Sequence, residues 1–203
     1  EKISGADSVP KPEEVRSIVE SYLATIPEGR SIDIAFFGGS FTGIPIHLQK
    51  AYLEEASYFL KQGKITGIRM STRPDYIDED ILEMLVSYGV STIELGAQST
   101  DEFVLKKSGR GHSFADLERA SKLIKESGIE LGLQMMIGLP YDSYEKTIQT
   151  AKDIVRLGAS NTRIYPCIVV KGTALERQYL KGRYEPLTLE DAIERAVELY
   201  KIF

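Results

Sequence analysis

Short continuous apolar runs alternate along this chain with longer stretches whose apolar residues recur at helical spacing. A polar lead-in covers residues 1–9. Val15, Ile18, Val19 and Leu23 then mark one face of a helix that opens at Pro12, with Glu13 and Glu14 complementing the helix dipole in its first turn. Ile32 to Phe37 reads as a buried strand that runs into Gly38-Gly39-Ser40. A helix follows from about Pro45 to Leu60, stopped at Gly63. The pattern repeats: strand Gly67 to Thr72, turn Arg73-Pro74-Asp75, helix Asp78 to Tyr88 with Gly89 as its cap. Next come strand Thr92 to Gln98, a short helix Glu102 to Lys106, a loop Ser108 to His112 and a helix Phe114 to Glu126. Strand Leu131 to Ile137 turns at Gly138-Leu139-Pro140 into helix Tyr144 to Leu157. Strand Thr162 to Val169 precedes two last helices, at about 174–181 and 188–203.

Alternating strands and helices, with strands apolar on both faces, imply an α/β fold with a parallel sheet covered by helices. The strands begin near residues 32, 67, 92, 130 and 161, close to the roughly 30-residue unit of a (β/α) barrel. Five strands suit either an open doubly wound sheet or part of a barrel, and periodicity does not separate the two. At 203 residues the chain suits one domain. Glu1 is not an initiator methionine and Phe203 falls within a helical pattern, so a piece of a longer protein is expected. A net charge of −5 offers no footprint for nucleic acid or an anionic membrane. No apolar run approaches the ~20 residues of a membrane helix. Cys167 is the one cysteine, which fits a reducing compartment, and a cytoplasmic location is expected.

In parallel α/β folds the chemistry sits at the carboxyl ends of the strands. There this sequence places Gly38-Gly39-Ser40, Ser71-Thr72-Arg73, Gly96 with Gln98, and Gly138-Leu139-Pro140. Glu94, Gln98, Gln134 and Arg163 lie within otherwise apolar strands. Burying such groups costs several kcal/mol each unless they are paired or meet a ligand. Together they predict a polar interior patch that serves a ligand. Two histidines and one cysteine exclude a Cys-rich metal site built from this chain alone. His47 reads as a surface residue, His112 as a loop residue, with contact to a ligand the lesser alternative, and Cys167 as a small core hydrophobe. Neither GxGxxG nor a P-loop is present.

Phe36-Phe37-Gly38-Gly39-Ser40-Phe41-Thr42, Ser71-Thr72-Arg73-Pro74-Asp75, Ile93-Glu94-Leu95-Gly96-Ala97-Gln98-Ser99, Arg110-Gly111-His112 and Gly138-Leu139-Pro140 occur in this order. Together they resemble the radical S-adenosylmethionine (SAM) enzymes, of the elongator catalytic-subunit type, with oxygen-independent coproporphyrinogen oxidases as more distant relatives. The resemblance covers about residues 1–185. It implies a partial (β/α)6 TIM-like barrel of parallel strands, one domain over 1–203. Within it, 1–30 would form an N-terminal helical part, 32–170 the βα core and 174–203 the C-terminal helices. It also implies an iron–sulfur oxidoreductase. A CxxxCxxC loop holds a 4Fe-4S cluster, and reduction cleaves bound SAM to methionine and a 5′-deoxyadenosyl radical that abstracts hydrogen from a substrate. This sequence has no such motif, so no residue of the chain is a metal ligand. The resemblance places the first strand and its cysteines upstream of Glu1, leaving the barrel edge exposed, with a sticky edge or disorder near that strand.

Residue by residue, the resemblance puts Gly38, Gly39 and Ser40 at the SAM amino group, with serine where the family carries glutamate. It puts Ser71 and Thr72 at the ribose, Gln98 near the methionine moiety, Arg110 on the carboxylate, Gln134 at the ribose hydroxyls and the Ile168-Val169 backbone beside adenine. Arg73 and Asp75 also suit each other as a turn pair. The implied partners are the small-molecule cofactor, an electron donor such as flavodoxin or ferredoxin, and a substrate for which tRNA is an analogy only. A cluster-free barrel acting as a binding or scaffold domain is the alternative. An ordinary barrel lyase or isomerase would need Glu94 as its base.

Overall fold

The computed structural model describes residues 10–27 and 29–203, so the polar lead-in at 1–9 and the disorder expected there lie outside it. α1 (Pro12–Leu23) starts with a proline, whose absent N–H costs nothing in a first helical turn. The Glu14 carboxylate accepts from the Lys11 backbone N–H at 2.6 Å.

The five strands are β1 (Asp33–Phe36), β2 (Gly67–Thr72), β3 (Val90–Gln98), β4 (Glu130–Ile137) and β5 (Asn161–Pro166). All neighbours are parallel, in the order β1-β2-β3-β4-β5. A doubly wound sheet reverses its strand order partway. Here every crossover advances one strand in one direction, which is barrel winding. α2 (Ile46–Lys61), α3 (Glu79–Ser87), the short α4 (Glu102–Lys107), α5 (Phe114–Glu126) and α6 (Tyr144–Leu157) follow the first four strands. α7 (Ala174–Leu180) and α8 (Leu189–Tyr200) complete the chain, and α8 packs on α6. Among the described residues no helix is long and apolar enough to cross a membrane.

Alternation along the strands sorts the side chains. Ile68, Met70, Ile93, Leu95, Leu131, Leu133 and Met135 are buried in the main core. The next positions carry Arg69, Ser71, Glu94 and Gln134, and the register aligns Ser71 with Glu94, Glu94 with Gly132 and Gln134 with Arg163. The strands are therefore not apolar on both faces as expected: the concave face is polar. β1 and β5 differ further from the expected buried strands. Each pairs on one side only, and their residues are half-buried or exposed. β5 also ends three residues before the expected Val169, at Pro166, whose ring removes a ladder donor. The Arg163 guanidinium reaches across to the Phe37 ring, 4.6 Å from its centroid, so β5 approaches the end of β1 and the sheet curls.

Candidate functional site

The strand ends enclose a cavity of about 400 Å³. Of the expected site residues it gathers Gly38, Gly39, Ser40, Ser71, Thr72, Gln98, Arg110 and Gln134. It adds Arg73, Gly96 and the loop residues Ser108, Gly109 and His112. Ile168 and Val169 lie elsewhere. They line a second, more apolar cavity of about 610 Å³ between the segment after β5 and the C-terminal helices, because the chain leaves the sheet at Pro166.

The first wall is the turn after β1. Gly38 has φ 97°, a conformation that side chains disfavour. A Cβ on Gly39 would meet nothing within 4 Å, so its backbone is bare. The end of β2 braces this turn. Ser71 Oγ donates to the Gly39 carbonyl at 3.2 Å. The Thr72 and Thr42 hydroxyls pair at 2.6 Å, tying β2 to the 3-10 turn Phe41–Gly43.

The second wall is the end of β3. Gln98 has φ 65°, and Ser99 N–H donates to the Ala97 carbonyl at 2.8 Å, a γ-turn centred on Gln98. A non-glycine residue held there costs on the order of 1 kcal/mol. The side chain folds back over Gly96, where a Cβ would come within 2.6 Å of Gln98 Nε2.

The loop after α4 supplies the cation. Three of the six buried side-chain polar atoms without a hydrogen-bond partner among the described residues fall here: Ser108 Oγ, Arg110 Nε and His112 Nδ1. Among the described residues the Arg110 guanidinium donates only to the Met136 sulfur, a weak acceptor. Burial pulls its pKa below the ordinary arginine value, but a guanidinium remains cationic at neutral pH. His112 Nε2 lies 3.3 Å from the Ala97 carbonyl, and burial lowers the imidazole pKa. Arg73 binds Asp75 bidentately, at 2.9 and 2.7 Å. That hydrogen bonding raises the Arg73 pKa. Burial alone would raise Asp75, but the same arginine holds it below the usual carboxylate range.

Beneath the cavity Glu94 is fully buried. Its Oε1 accepts from Arg69 Nη2 at 2.8 Å and Arg163 Nη2 at 3.1 Å. Its Oε2 accepts from Gln134 Nε2 at 3.0 Å and faces Arg163 Nε at 3.0 Å. A carboxylate so engaged is no general base, which removes the lyase or isomerase reading. The polar patch is thus in part an internal network: Glu94 and Arg163 satisfy each other, while Gln98 and Gln134 reach the cavity.

His47 is exposed, as expected. Cys167 sits in a small core cluster with Val104, Leu139 and Tyr184, where burial and Cys167 push the Tyr184 pKa up. Among the described residues no three His, Cys, Asp or Glu side chains converge to hold a metal ion. One cysteine cannot supply the thiolates of a 4Fe-4S cluster. The residues present do not fit that group. The cavity itself offers an unpaired guanidinium, bare turn backbone and polar strand residues, which suit a zwitterionic, hydroxyl-bearing ligand. Sequence reading missed Ser108, Gly109 and Arg73 as lining residues, although the glycines on both sides of Arg110 mark a backbone built for close approach.

Comparison with known proteins agrees with this architecture. Residues 3–154 match the radical SAM superfamily, and residues 159–203 match the radical SAM C-terminal domain. A tRNA uridine(34) acetyltransferase of Methanocaldococcus infernus is 31% identical over 183 residues, 80% of this chain and 34% of that protein. An uncharacterised protein of Methanocaldococcus jannaschii is 34% identical over 158 residues, 76% of this chain and 48% of its own length. The chain therefore spans between a third and a half of these curated relatives. Among solved structures, the archaeal Methanocaldococcus infernus Elp3 with an N-terminal deletion superposes with a TM-score of 0.84 at 28% identity, covering 95% of this chain and 50% of that one. The coproporphyrinogen III oxidase of Escherichia coli shares the fold, with a TM-score of 0.62 at 16% identity over 93% of this chain and 44% of its own. With three quarters of its length matched by the family, the chain belongs to the radical SAM superfamily.

Proposed function

We propose that this chain is the SAM-binding barrel domain, residues 1–203, of a radical SAM iron–sulfur oxidoreductase. One observation carries the reading: the half-buried Arg110 guanidinium, its Nε buried and unsatisfied, has no counter-ion among the described residues and lines the cavity that the Gly38-Gly39 turn also lines. A desolvated, unpaired cation is costly, and a ligand carboxylate relieves that cost through charge-assisted hydrogen bonds. SAM has the matching groups. Its carboxylate suits Arg110, its ammonium suits the carbonyls of the glycine turn, and its ribose hydroxyls suit Gln134. Ser71 and Thr72 brace the turn, and Gln98 closes the side near the methionine moiety. Ser40 adds a neutral acceptor. Ile168 and Val169 line the second cavity, so we give them no adenine contact in the first.

Bound SAM supplies the adenosyl group that abstracts hydrogen in this family. A 4Fe-4S cluster would need thiolates that this sequence does not contain, and a flavodoxin- or ferredoxin-type donor would supply its electron. One relative, the Methanocaldococcus infernus acetyltransferase, is named for a tRNA uridine. With a net charge of −5 on this chain, we assign any RNA contact to other parts of the protein.

Isothermal titration with SAM tests the reading. The native chain binds, and Arg110→Ala weakens binding about tenfold or more, the effect of losing a hydrogen bond to a charged group. Native protein that does not bind, or an Arg110→Ala variant of unchanged affinity, would rule it out.

A further inference from the structure

Gln134 stands between the cavity and the buried carboxylate beneath it. A glutamine amide has two chemically opposite ends, and either can face a ligand. Here Gln134 Nε2 donates to Glu94 Oε2 at 3.0 Å. Gln134 Oε1 has no partner among the described residues and is not one of their buried unsatisfied atoms, so it is open to the cavity that the residue lines. The other end of the amide cannot take its place. Glu94 carries only acceptors, and turning the amide over would set Gln134 Oε1 against Glu94 Oε2, oxygen against oxygen. Glu94 in turn cannot swing away. Arg69 and Arg163 hold it from two neighbouring directions, at 2.8 Å and at 3.0 to 3.1 Å.

We infer that Glu94 is a positioning residue. It fixes Gln134 as a pure hydrogen-bond acceptor toward the cavity, and so makes this subsite select ligands that present a donor. This rests on the reading of the cavity as a SAM site, where the donor is a ribose hydroxyl. The selectivity itself follows from the charge of Glu94. A neutral group there would allow the amide to turn, and the subsite would then accept a group that has no hydrogen to give.

The test compares S-adenosylhomocysteine with its analogue carrying fluorine in place of the ribose hydroxyls, by titration calorimetry on the full chain. The native protein prefers the hydroxyl ligand by about tenfold or more, since fluorine faces an unsatisfied carbonyl. Gln134→Met loses the preference. Glu94→Gln narrows it several-fold while still binding the fluorinated ligand, because the amide now turns. A purely structural role for Glu94 predicts that both ligands weaken equally, and that result overturns the proposal, as does a preference that survives Gln134→Met. A second readout needs no variant. In glutamine-labelled native protein the Gln134 side-chain amide protons are already hydrogen-bonded without ligand and hold their shifts when it binds; protons that become bonded only with ligand refute the fixed orientation. If the native chain binds neither ligand, the cofactor reading falls and this proposal falls with it. Binding of both with equal affinity leaves the cofactor reading standing and removes the proposal alone.

Discussion

Gly111 shows how a single residue sets the geometry of the cavity loop. Its φ of 77° is left-handed, and a Cβ there would come within 2.8 Å of Arg73 Nη2. Gly109, two residues earlier, has φ 65° and open space around it. Gly109→Ala therefore meets only the backbone penalty, about 1 kcal/mol. Gly111→Ala adds the displacement of Arg73 from Asp75 and is expected to cost about 1 kcal/mol more, given what a partly exposed charged pair contributes. Chemical denaturation of the two variants side by side checks this, and equal losses would mean that Arg73 moves freely. The sequence marks both positions as glycines flanking an arginine, but their neighbours come from other elements. That Arg73 packs over Gly111, or that Gln98 is held at positive φ, follows from contacts between elements that no local pattern encodes.

At the scale of elements, α5 and α6 match their expected limits from Phe114 to Glu126 and from Tyr144 to Leu157. Their ends are written chemically. Ser113 and Ser143 cap the starts, and Gly158 ends α6 in a left-handed conformation. Strand ends are marked more sparsely: in β5 only Pro166 shows where the ladder stops, inside an apolar run that continues to Val169. The α5 cap is reciprocal: Ser113 Oγ accepts from Asp116 N–H at 3.1 Å, and the Asp116 carboxylate accepts from Ser113 N–H at 2.9 Å. Hydrogen bonding from Ser113 is the main reason that the Asp116 pKa lies below its ordinary value. The sign follows. A depressed carboxylate stabilises the fold above its unfolded pKa, near 3.8, and that contribution disappears as pH falls through the lower folded value. Ser113→Ala should cost about 1 kcal/mol at neutral pH and raise the Asp116 pKa in a carboxyl-detected titration. An unchanged titration would show that the serine does not support the carboxylate.

Across the whole molecule, the βα rhythm announced a parallel sheet, but not how it is wound. Doubly wound sheets and barrels share that rhythm, and only the pairing of each strand with its successor distinguishes them. The polar positions within strands were legible as well, whereas the division between internal network and ligand site was not. Glu94 links β2, β3, β4 and β5 through Arg69, Gln134 and Arg163. Glu94→Ala would take the carboxylate from Arg163 and leave Arg69 only Asp33, 3.8 Å away. Breaking a buried pair costs about 3–5 kcal/mol. The low end applies, since the Arg69 and Arg163 side chains keep 27% and 41% of their exposure. Thermal unfolding should show it, and a loss no greater than that of a surface substitution would deny the network its part in holding the strands together.

The same arginines decide what the cavity looks like from a distance. Arg69 and Arg163 are matched by Glu94 and by Asp33, whose carboxylate lies 3.8 Å from Arg69. Arg73 is matched by Asp75. The positive and negative charges around the cavity cancel in pairs, and Arg110 is left over. Seen beyond a few ångströms, the cavity is a receptor with a single unit of positive charge. Its attraction for an anionic group is short-ranged, and added salt should weaken binding only as much as it weakens one ion pair.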